Sequence, residues 1–453
     1  MDVNELKKKT VLILGAGKTG IASAFFLLDK TNKILLSDNN EEPALLQDKI
    51  EYLKNAGIET EFKKNSEDFI NKADLILISP GISPHSEIVK KIISLKKPII
   101  SDIELAKSFI NKPIIAVTGT NGKTTTTSLI THILNNSGKK AIACGNIGKP
   151  LLEVISENTD FYVLEISSFQ TFYSPTLQCE IAVCLNITPD HLDWHGDFNH
   201  YIETKKKLFI QQKKDSWAIL NSSDNTIKTF KPENNVFYFS LNKNEIQHYE
   251  NIAFFENDKL KIKEKNNITE ILNKRELKIL GAHNIENALA SIAVGKVINI
   301  TNENIKNGLE TFQGVEHRLE YVKRTNGKEF YNDSKATNPE ATIKAIEAFS
   351  GRKITLILGG RDKKTRLDDM IQVIKSSVNQ VILLGEAKDR FQQELNKNSY
   401  KEVTIVKDLN EALLVSLKSK TDIVLFSPAC SSFDMFKNYE DRGKSFKELV
   451  GKL

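Results

Sequence analysis

The segment with the clearest chemistry in this sequence is GTNGKT, residues 119–124. It follows the apolar run IIAVT and precedes a helical pattern, so it lies where a strand ends and a helix begins. Backbone N–H groups and the positive end of a helix attract an anion at such a turn, and Lys123 and Thr124 are placed to reach outer phosphates and a magnesium ion. The full Walker pattern has a glycine six positions before the lysine, where this chain has Val117. The segment therefore predicts a shorter variant of a phosphate-binding loop.

A second glycine-rich turn, GAGKTG at residues 15–20, follows the first apolar run, and Asp38 closes the next run about 20 residues later. Together they form the dinucleotide fingerprint, which taken alone would suggest an NAD enzyme. The fingerprint specifies only a diphosphate resting on a helix end, so a UDP-sugar satisfies it equally well, and a purely structural turn is also open. Ser79 ends a later strand of the same predicted sheet, at the edge where ligands bind.

Charged and polar side chains follow two further apolar runs. Glu165 ends FYVLE in the same predicted sheet as the phosphate loop, where a carboxylate can organise magnesium between phosphates; a solvated strand-end glutamate is the alternative. Residues 186–196, NITPDHLDWHG, bring two histidines and two aspartates into a loop-like stretch that could bind a metal or position a substrate. Lys205 follows on a predicted amphipathic helix, and its residue type alone predicts a solvent-exposed side chain.

The elements that must position these residues fall into three series of alternating strands and helices. The strand-like runs are VLILG, KILLSD, ADLILIS and PIIS in the first series, PIIAVTG, AIACGN, FYVLEIS and IAVCLNI in the second, and KITLILGG, QVILLGE, VTIVK and DIVLFSP in the third. Residues 224–275 are rich in lysine and asparagine and predict peripheral strands and turns. The predicted fold class is α/β, with three doubly wound domains at residues 1–106, 107–313 and 314–453. The first and third are expected to be Rossmann-like and the central one to resemble a P-loop ATPase.

Composition limits the classes of function. The chain has 453 residues and a formal net charge of +5, with lysines interleaved among acidic residues, so no basic face for nucleic acid is expected. The absence of an apolar run of about 18 residues and of an N-terminal signal segment predicts a cytoplasmic protein without a membrane partner. Four scattered cysteines without a CxxC pair predict buried thiols rather than a zinc site or a disulfide.

Read in chain order, eight segments resemble the motif series of the Mur ligase family. They are GTNGKT, LEISSFQ, NITPDHLDWHG, the spacing from Tyr201 to Lys205, GAHNIENALA, GVEHRLE, NDSKATNP and SPACSSFDMFKNYEDRG. Their spacing covers nearly the whole chain. Within the family, GAGKTG, SPGIS and the last of the eight segments resemble the member that adds D-glutamate to UDP-N-acetylmuramoyl-L-alanine. The resemblance implies a first domain that binds the UDP-muramoyl substrate, a central domain that binds ATP, and a third domain that binds the amino acid.

The resemblance also implies the reaction and its participants. The alanyl carboxylate of the precursor would attack the γ-phosphate of ATP to give an acyl phosphate, and the amine of D-glutamate would then displace phosphate. The resemblance implies that this step would belong to cytoplasmic peptidoglycan precursor synthesis. The cofactors would be ATP and two Mg²⁺ ions, the partners would be small-molecule substrates, and the chain is expected to be a monomer.

Residue roles carried over from the family fall into four groups. ATP would be bound by Gly119, Thr120, Asn121, Gly122, Lys123, Thr124, Thr125, Asn287, Arg318 and Asp333. Magnesium would be held by Thr124, Glu165, His191 and Lys205, the last as a carbamate, and Lys123, Glu165, His191 and Lys205 would be catalytic. The UDP substrate would contact Gly15, Ala16, Lys18, Thr19, Asp38, Asn39, Ser79 and Asn146. D-glutamate would contact Lys335, Thr337, Lys363, Ser432 and Phe433.

Three positions depart from the family pattern, and several other functions stay open. Asn39 and Asn40 stand where a threonine and an arginine are expected, and Tyr439 stands where a phenylalanine is expected. The alternatives are a sister ligase for another amino acid, a folate polyglutamate synthase, an NAD oxidoreductase and a nucleotide-binding module without activity. A folate enzyme has no reason to carry a GxGxxG unit before its phosphate loop. An oxidoreductase would leave GTNGKT without a role, and an inactive module would leave the lysines and carboxylates unused.

Overall fold

The structure, a computed structural model, describes residues 3–453 and contains three β-sheets. The described residues form two compact units. The first runs to Glu276 and includes Ile285–Glu310, and the second consists of Leu277–Asn284 and Thr311–Leu453. In the described part of the chain, none of the helices has both the length and the apolar character needed to span a bilayer.

The first sheet has five parallel strands in the order β3-β2-β1-β4-β5. Its strands are β1 (Thr10–Leu14), β2 (Lys33–Asp38), β3 (Glu59–Phe62), β4 (Leu75–Ile78) and β5 (Ile99–Ile100). The helices of this region are α1 (Val3–Leu6), α2 (Lys18–Leu27), α3 (Gln47–Asn55), α4 (Glu67–Lys72), α5 (Glu87–Ser94) and α6 (Asp102–Lys107). Strand order reverses between β1 and β4, and a doubly wound sheet binds ligands beside such a reversal.

The second sheet has nine strands in the order β14-β13-β12-β11-β10-β9-β6-β8-β7. Its strands are β6 (Ile114–Thr118), β7 (Ala141–Gly145), β8 (Phe161–Glu165), β9 (Ile181–Cys184), β10 (Trp217–Asn221), β11 (Asn235–Ser240), β12 (Asn251–Glu256), β13 (Lys259–Glu264) and β14 (Asn267–Asn273). The helices are α7 (Lys123–Asn136), α8 (Leu151–Val154), α9 (Ser168–Phe172), α10 (Leu192–His195), α11 (Phe198–Ile210), α12 (Ala282–Val297) and α13 (Asn302–Thr311). Every residue of β6 is buried, as expected for a central parallel strand covered on both faces.

The third sheet has six strands in the order β15-β16-β20-β17-β18-β19, and β15 is its antiparallel edge. Its strands are β15 (Glu320–Thr325), β16 (Lys328–Asn332), β17 (Ile354–Gly359), β18 (Gln380–Leu384), β19 (Val403–Ile405) and β20 (Ile423–Phe426). The helices are α14 (Pro339–Glu347), α15 (Asp368–Ser377), α16 (Lys388–Lys397), α17 (Leu409–Leu417) and α18 (Tyr439–Gly451). The carboxyl ends of β16, β20 and β17 therefore lie side by side at one edge of the sheet.

The three predicted α/β series are confirmed, with details that the sequence pattern missed. Residues 224–275 do form peripheral strands, β11 to β14, of which β13 pairs antiparallel with both neighbours. The prediction omitted β3, β10, β15 and β16. The four cysteines are buried and free, as predicted. The domain borders at residues 106/107 and 313/314 stay predictions.

Candidate active site

The phosphate-loop segment joins β6 to α7, as its sequence predicted. The backbone N–H of Thr120 donates to Asn186 O at 2.8 Å, and the N–H of Asn121 donates to Asn186 Oδ1 at 2.8 Å. Lys123 Nζ donates to Gly119 O at 2.9 Å and to Thr120 O at 2.8 Å, so the lysine side chain curls over its own loop. Thr124 and Thr125 follow in the buried first turn of α7. A preformed turn with a lysine held over it can receive a chain of phosphates.

Two glycines are required for the shape of this loop. Gly119 has φ +147° and Gly122 has φ +85°, a region that residues with a Cβ rarely adopt. A Cβ on Gly122 would also lie 2.4 Å from Asn287 Oδ1 on α12. Asn287 is buried, so the amide packs against the loop backbone and leaves no room for a side chain there.

Lys205 is buried against the phosphate loop, so the prediction of an exposed side chain from residue type alone is wrong. Only 1% of the residue is exposed, and its Nζ lies 3.2 Å from Thr118 Oγ1 and 3.1 Å from Gly119 O. Burial, assisted by the charge of Lys123, lowers the pKa of Lys205 to about 7. A large fraction of this amine is therefore uncharged near neutral pH.

Glu165 ends β8 one strand away from the phosphate loop and presents one unpaired oxygen. Its Oε1 accepts a hydrogen bond from Asn146 Nδ2 at 2.8 Å, and its backbone O accepts one from Asn146 N at 2.9 Å. Its Oε2 is buried and has no hydrogen-bond partner among the described residues. A buried carboxylate oxygen without a partner is costly in an isolated protein, and a cation bound there would satisfy it.

The residues after Glu165 shape the neighbouring turn. Ser167 caps α9: its Oγ accepts from Gln170 N at 3.2 Å, and Gln170 Oε1 accepts from Ser167 N at 3.1 Å. This reciprocal capping box fixes where the helix begins. The SSFQ part of the segment therefore has a structural role that keeps the end of β8 in place.

The histidines of NITPDHLDWHG do not form one cluster. His191 has a left-handed backbone with φ +52°, its side chain is half exposed, and its Nε2 lies 3.4 Å from Asp190 Oδ2. His195 instead pairs through Nε2 with Ser168 Oγ at 2.9 Å and through Nδ1 with His200 Nδ1 at 3.1 Å. Burial lowers the pKa of His195 to about 4, so it is neutral at physiological pH. Only His191 of the two is open to a ligand.

No group of three or more His, Cys, Asp and Glu side chains within residues 3–453 is arranged to hold a metal by itself. The stretch NITPDHLDWHG is therefore not a metal cage of its own. Part of the segment is also helical, since α10 covers Leu192–His195.

The glycine-rich turn of the first sheet joins β1 to α2 and is closed by two polar side chains. Gly15 has φ +101°, and a Cβ there would lie 2.4 Å from Ser79 Oγ. The N–H of Ala16 donates to Asp38 Oδ2 at 2.7 Å, and the N–H of Asn40 donates to Asp38 Oδ1 at 2.8 Å. Lys18 and Thr19 begin α2, and Asn39 is exposed beside Asp38. The predicted residues Gly15, Ala16, Asp38 and Ser79 are thus brought together.

In the second unit, Asp333 is a buried carboxylate at the end of β16. Its Oδ2 accepts from Ser427 Oγ at 2.7 Å and its Oδ1 accepts from Leu319 N at 3.1 Å. Burial raises the pKa of Asp333 to about 7. The neighbouring Arg318 lies between His317 and Leu319, whose φ values of +65° and +44° mark an unusual backbone. Such a conformation is typical of functional turns.

The five residues predicted to contact D-glutamate all follow strands at the same edge of the third sheet. Lys335 and Thr337 follow β16, Lys363 follows β17, and Ser432 and Phe433 follow β20. Lys363 Nζ donates to Thr337 O at 3.1 Å, and the Lys335 ammonium lies 5.6 Å from the ring of Tyr439. Ser432 is buried, whereas Phe433 is 62% exposed.

The structure shows contacts of three residues to which the sequence analysis assigned no individual role. Tyr201 OH lies 2.9 Å from Thr120 Oγ1, and its spacing of four from Lys205 on one helix was the available signal. Asn186 holds the phosphate loop, as described above. Arg442 is buried, and its Nη2 donates to Ser334 O at 2.7 Å and to Cys430 O at 3.0 Å. An arginine in a sequence carries no sign that it will be buried.

Comparison with known proteins matches all three parts of the chain. Residues 9–101 match the Mur ligase MurD-like, N-terminal domain, residues 117–295 the Mur ligase middle domain, and residues 317–430 the Mur ligase, glutamate ligase domain. A UDP-N-acetylmuramoylalanine--D-glutamate ligase of Thermoanaerobacter sp. (strain X514) is 39% identical over 455 residues, which cover 99% of both chains. This chain belongs to the Mur ligase family. A protein of the same name from Clostridioides difficile (strain 630) is 36% identical over 99% of this chain and 100% of its own.

Solved structures of other ligases confirm the three-domain α/β architecture of this Mur ligase. The UDP-N-acetylmuramate-alanine ligase MurC of Thermotoga maritima covers 98% of this chain and 99% of its own at a TM-score of 0.59 and 19% identity. A pseudomurein peptide ligase type C of Methanothermus fervidus covers 98% of this chain and 100% of its own at a TM-score of 0.55 and 22% identity. The match of residues 9–101 to a MurD-like domain also argues against the oxidoreductase and folate alternatives.

Proposed function

We propose that this Mur ligase joins D-glutamate to UDP-N-acetylmuramoyl-L-alanine at the expense of ATP, with ADP and phosphate as products. Similarity over 99% of the chain to ligases that carry this name supports the choice of substrates. The observation that carries the ATP part is the loop of residues 119–124, whose lysine, two left-handed glycines and helix end form a cradle for phosphates.

ATP binding is assigned to the loop and to residues beyond it. The loop residues are Gly119, Thr120, Asn121, Gly122, Lys123, Thr124 and Thr125, and the others are Asn287, Arg318 and Asp333. Asn287 is supported by its packing on Gly122, and Asp333 by its buried carboxylate, which can accept from a sugar hydroxyl. Arg318 would supply a permanent positive charge to a phosphate.

The donor set also fits magnesium. Thr124 offers a hydroxyl at the start of α7, Glu165 a carboxylate with an unpaired buried Oε2, and His191 a half-exposed imidazole. When bound, Mg²⁺ would neutralise phosphate charge and lower the repulsion between the two reacting anions. Asn146 would keep the Glu165 carboxylate oriented through its 2.8 Å hydrogen bond.

Lys205 is proposed to act as a carbamate and to contribute to a second magnesium site. Carbamate formation needs an uncharged amine, and burial of Lys205 favours that state. Its nitrogen donates to the Thr118 hydroxyl and to the Gly119 carbonyl. Addition of CO2 would replace a positive charge beside the phosphate loop with a negative one. Tyr201, whose ring lies 4.9 Å from Nζ, packs against the lysine and limits its movement.

In the proposed reaction, the alanyl carboxylate attacks the γ-phosphorus of ATP, and the bond from that phosphorus to the β-phosphate oxygen breaks to release ADP. The D-glutamate amine then attacks the acyl carbon, phosphate leaves, and the amine loses a proton to give the amide. Lys123 would hold the phosphate that is transferred, while the protein supplies positioning and charge compensation.

The remaining assignments concern the two organic substrates. Gly15, Ala16, Lys18, Thr19, Asp38, Asn39 and Ser79 would contact the UDP part, and Asn146 the muramoyl side. Lys335, Thr337, Lys363, Ser432 and Phe433 would contact D-glutamate, whose two carboxylates match the two lysines. The proposal also includes a cytoplasmic monomer that acts on small molecules, and the weak net charge of +5 gives no reason to expect a nucleic-acid partner.

Phosphate release tests the proposal. Purified protein is incubated with ATP, magnesium, UDP-N-acetylmuramoyl-L-alanine and one amino acid at a time, and phosphate and the ligated product are measured. D-glutamate should support turnover, and L-glutamate, D-alanine and D-aspartate should not. Turnover with a different amino acid would identify a sister ligase, and no phosphate release with any of them would refute the proposal.

A further inference from the structure

Lys363, one of the proposed D-glutamate contacts, stands on a loop that has no regular secondary structure. The loop covers residues 362–367 between β17 and α15. Lys363 is exposed, and its Nζ reaches Thr337 O at 3.1 Å. A flexible lysine on an irregular loop can bind a carboxylate tightly only if the loop itself is held in place.

The planar guanidinium group of Arg390 on α16 holds this loop through hydrogen bonds to Asp362 and Thr365, a set of contacts called the clamp below. Its Nε donates to Asp362 Oδ2 at 2.8 Å and its Nη2 donates to Asp362 Oδ1 at 2.8 Å. Its Nη1 donates to the backbone O of Thr365 at 3.2 Å. Asp362 and Thr365 are therefore joined to one guanidinium group, with Lys363 between them in the chain.

The carboxylate in the clamp also shapes the backbone next to Lys363. Asp362 Oδ1 accepts from the N–H of Lys364 at 2.8 Å, and Lys364 has φ +54°. The Asp362 side chain is 15% exposed and that of Arg390 30% exposed, so the pair is partly shielded from water. The hydrogen bond from Arg390 lowers the pKa of Asp362, which keeps the carboxylate charged. Bidentate pairs of this kind are more specific in geometry than a single ion pair.

Backbone hydrogen bonds connect the segments that flank the clamp to the end of the third sheet. The N–H of Ala387, next to α16, donates to Gly360 O at 3.0 Å, and the N–H of Arg361 donates to Ser431 O at 2.9 Å. Ser431 precedes Ser432, another proposed D-glutamate contact. The start of α16, the end of β17 and the segment after β20 therefore form one connected support for the loop.

We propose that Arg390 is a positioning residue for D-glutamate, which it does not touch: its grip on Asp362 and Thr365 sets where the Lys363 ammonium stands. The inference rests on the proposed function, since it takes Lys363 as a substrate contact. It assigns to α16, outside all of the family-like segments, a role in the affinity for the amino acid.

The test compares steady-state kinetics of the full-length protein and of Arg390→Ala with D-glutamate as the varied substrate. The KM for D-glutamate should rise about tenfold or more, the scale found when outer-shell partners of a site are removed. The KM values for ATP and for UDP-N-acetylmuramoyl-L-alanine should change less than twofold. Arg390→Lys, which keeps the charge but not the fork, should give an intermediate KM for D-glutamate.

Arg352 offers a matched control in the same domain. Its Nη1 and Nη2 donate to the two carboxylate oxygens of Glu329 at 2.9 Å and 3.2 Å, at the amino-terminal edge of the same sheet. Arg352→Ala removes a similar arginine–carboxylate pair, which lies at the opposite end of the strands from Lys363. It should leave the KM for D-glutamate unchanged, even if both alanine variants lower the melting temperature equally.

A double-mutant cycle separates positioning from simple loss of stability. If the clamp acts as a unit, Arg390→Ala combined with Asp362→Asn should raise the KM no more than the worse single variant. Equal KM increases for D-glutamate in the Arg390 and Arg352 variants, or an unchanged KM in Arg390→Ala and Arg390→Lys, would overturn the inference. Absence of D-glutamate ligation by the unmodified protein would instead refute the proposed function.

Discussion

The amine nitrogen of Lys205 lies 3.2 Å from the hydroxyl of Thr118, although the two residues are 87 positions apart. Thr118 ends β6 and Lys205 lies in the middle of α11, so the packing of that helix on the sheet brings a basic group beneath the phosphate loop. Lys123 and Lys205 both contact Gly119 O, at 2.9 Å and 3.1 Å. Burial, together with the like charge of Lys123, lowers the pKa of Lys205 to about 7.

Replacement of Lys123 by alanine should remove activity without removing the fold. Lys123→Ala should lower kcat by roughly 100-fold or more, because the proposed charged contact to the transferred phosphate would be lost. Phosphate release measures this effect, and circular dichroism checks the fold. Lys139→Ala, which changes an exposed lysine just beyond α7, is the matched control. Near-normal activity of Lys123→Ala would contradict the assignment of residues 119–124 to ATP phosphate binding.

Replacement of Lys205 by alanine tests the carbamate. Lys205→Ala should be inactive, and added formate or acetate should restore part of the activity by placing a carboxylate where the carbamate stood. Lys206→Ala, next along the helix and paired with Glu203 at its surface, should stay active and should not respond to either acid. If Lys205→Ala remains inactive in the presence of these acids, the carbamate assignment loses its support.

A pair of glycine variants separates backbone strain from ATP binding. Gly122→Ala and Gly138→Ala both force alanine into a left-handed conformation, at φ +85° and +82°. This backbone strain should cost each variant about 1 kcal/mol of stability, and the contact with Asn287 adds a further cost in Gly122→Ala. Only Gly122→Ala brings a Cβ against Asn287, since nothing lies within 4 Å of a Cβ at Gly138. The KM for ATP should therefore rise about tenfold or more in Gly122→Ala alone. Equal KM values in the two variants would contradict the role of this contact.

The buried Asp102 predicts a pH dependence of stability. It is 1% exposed, and burial raises its pKa to about 6, although neighbouring backbone N–H groups and the Gln170 side chain favour the charged form. The folded protein thus holds this proton more tightly than the unfolded chain, whose aspartate titrates near 3.8. The contribution of Asp102 to stability is present below pH 3.8 and is lost as the pH rises toward 6.

Melting temperatures measured between pH 4 and pH 8 check this expectation. The free energy of unfolding of Asp102→Asn should increase relative to that of the unmodified protein as the pH rises, by roughly 1 to 3 kcal/mol at pH 7. Asp215→Asn, at an exposed turn, should show no such trend. If the difference in melting temperature between Asp102→Asn and the unmodified protein stayed constant across this range, the pKa of Asp102 would not differ between the folded and unfolded states, and the expectation would be wrong.

Local patterns in the chain were sufficient to predict much of the fold. The apolar runs that became β1, β6, β8, β17 and β20 are fully or almost fully buried, so their hydrophobicity alone identified them. Glu59–Phe62 forms β3 although its sequence is ETEF, because pairing with β2 overrides its weak strand preference. Long-range pairing of this kind leaves no local signal.

The sequence by itself determined the glycine-rich turn between β6 and α7, the three α/β series and the family, because each depends on residue types at short, fixed spacings. Only the tertiary structure decided that Lys205 is buried, that His191 rather than His195 is open to a ligand, and that Arg390 grips the loop of Lys363. Those properties depend on which distant elements pack together, and the pKa, exposure and partners of a side chain are set by that packing rather than by its neighbours in the chain.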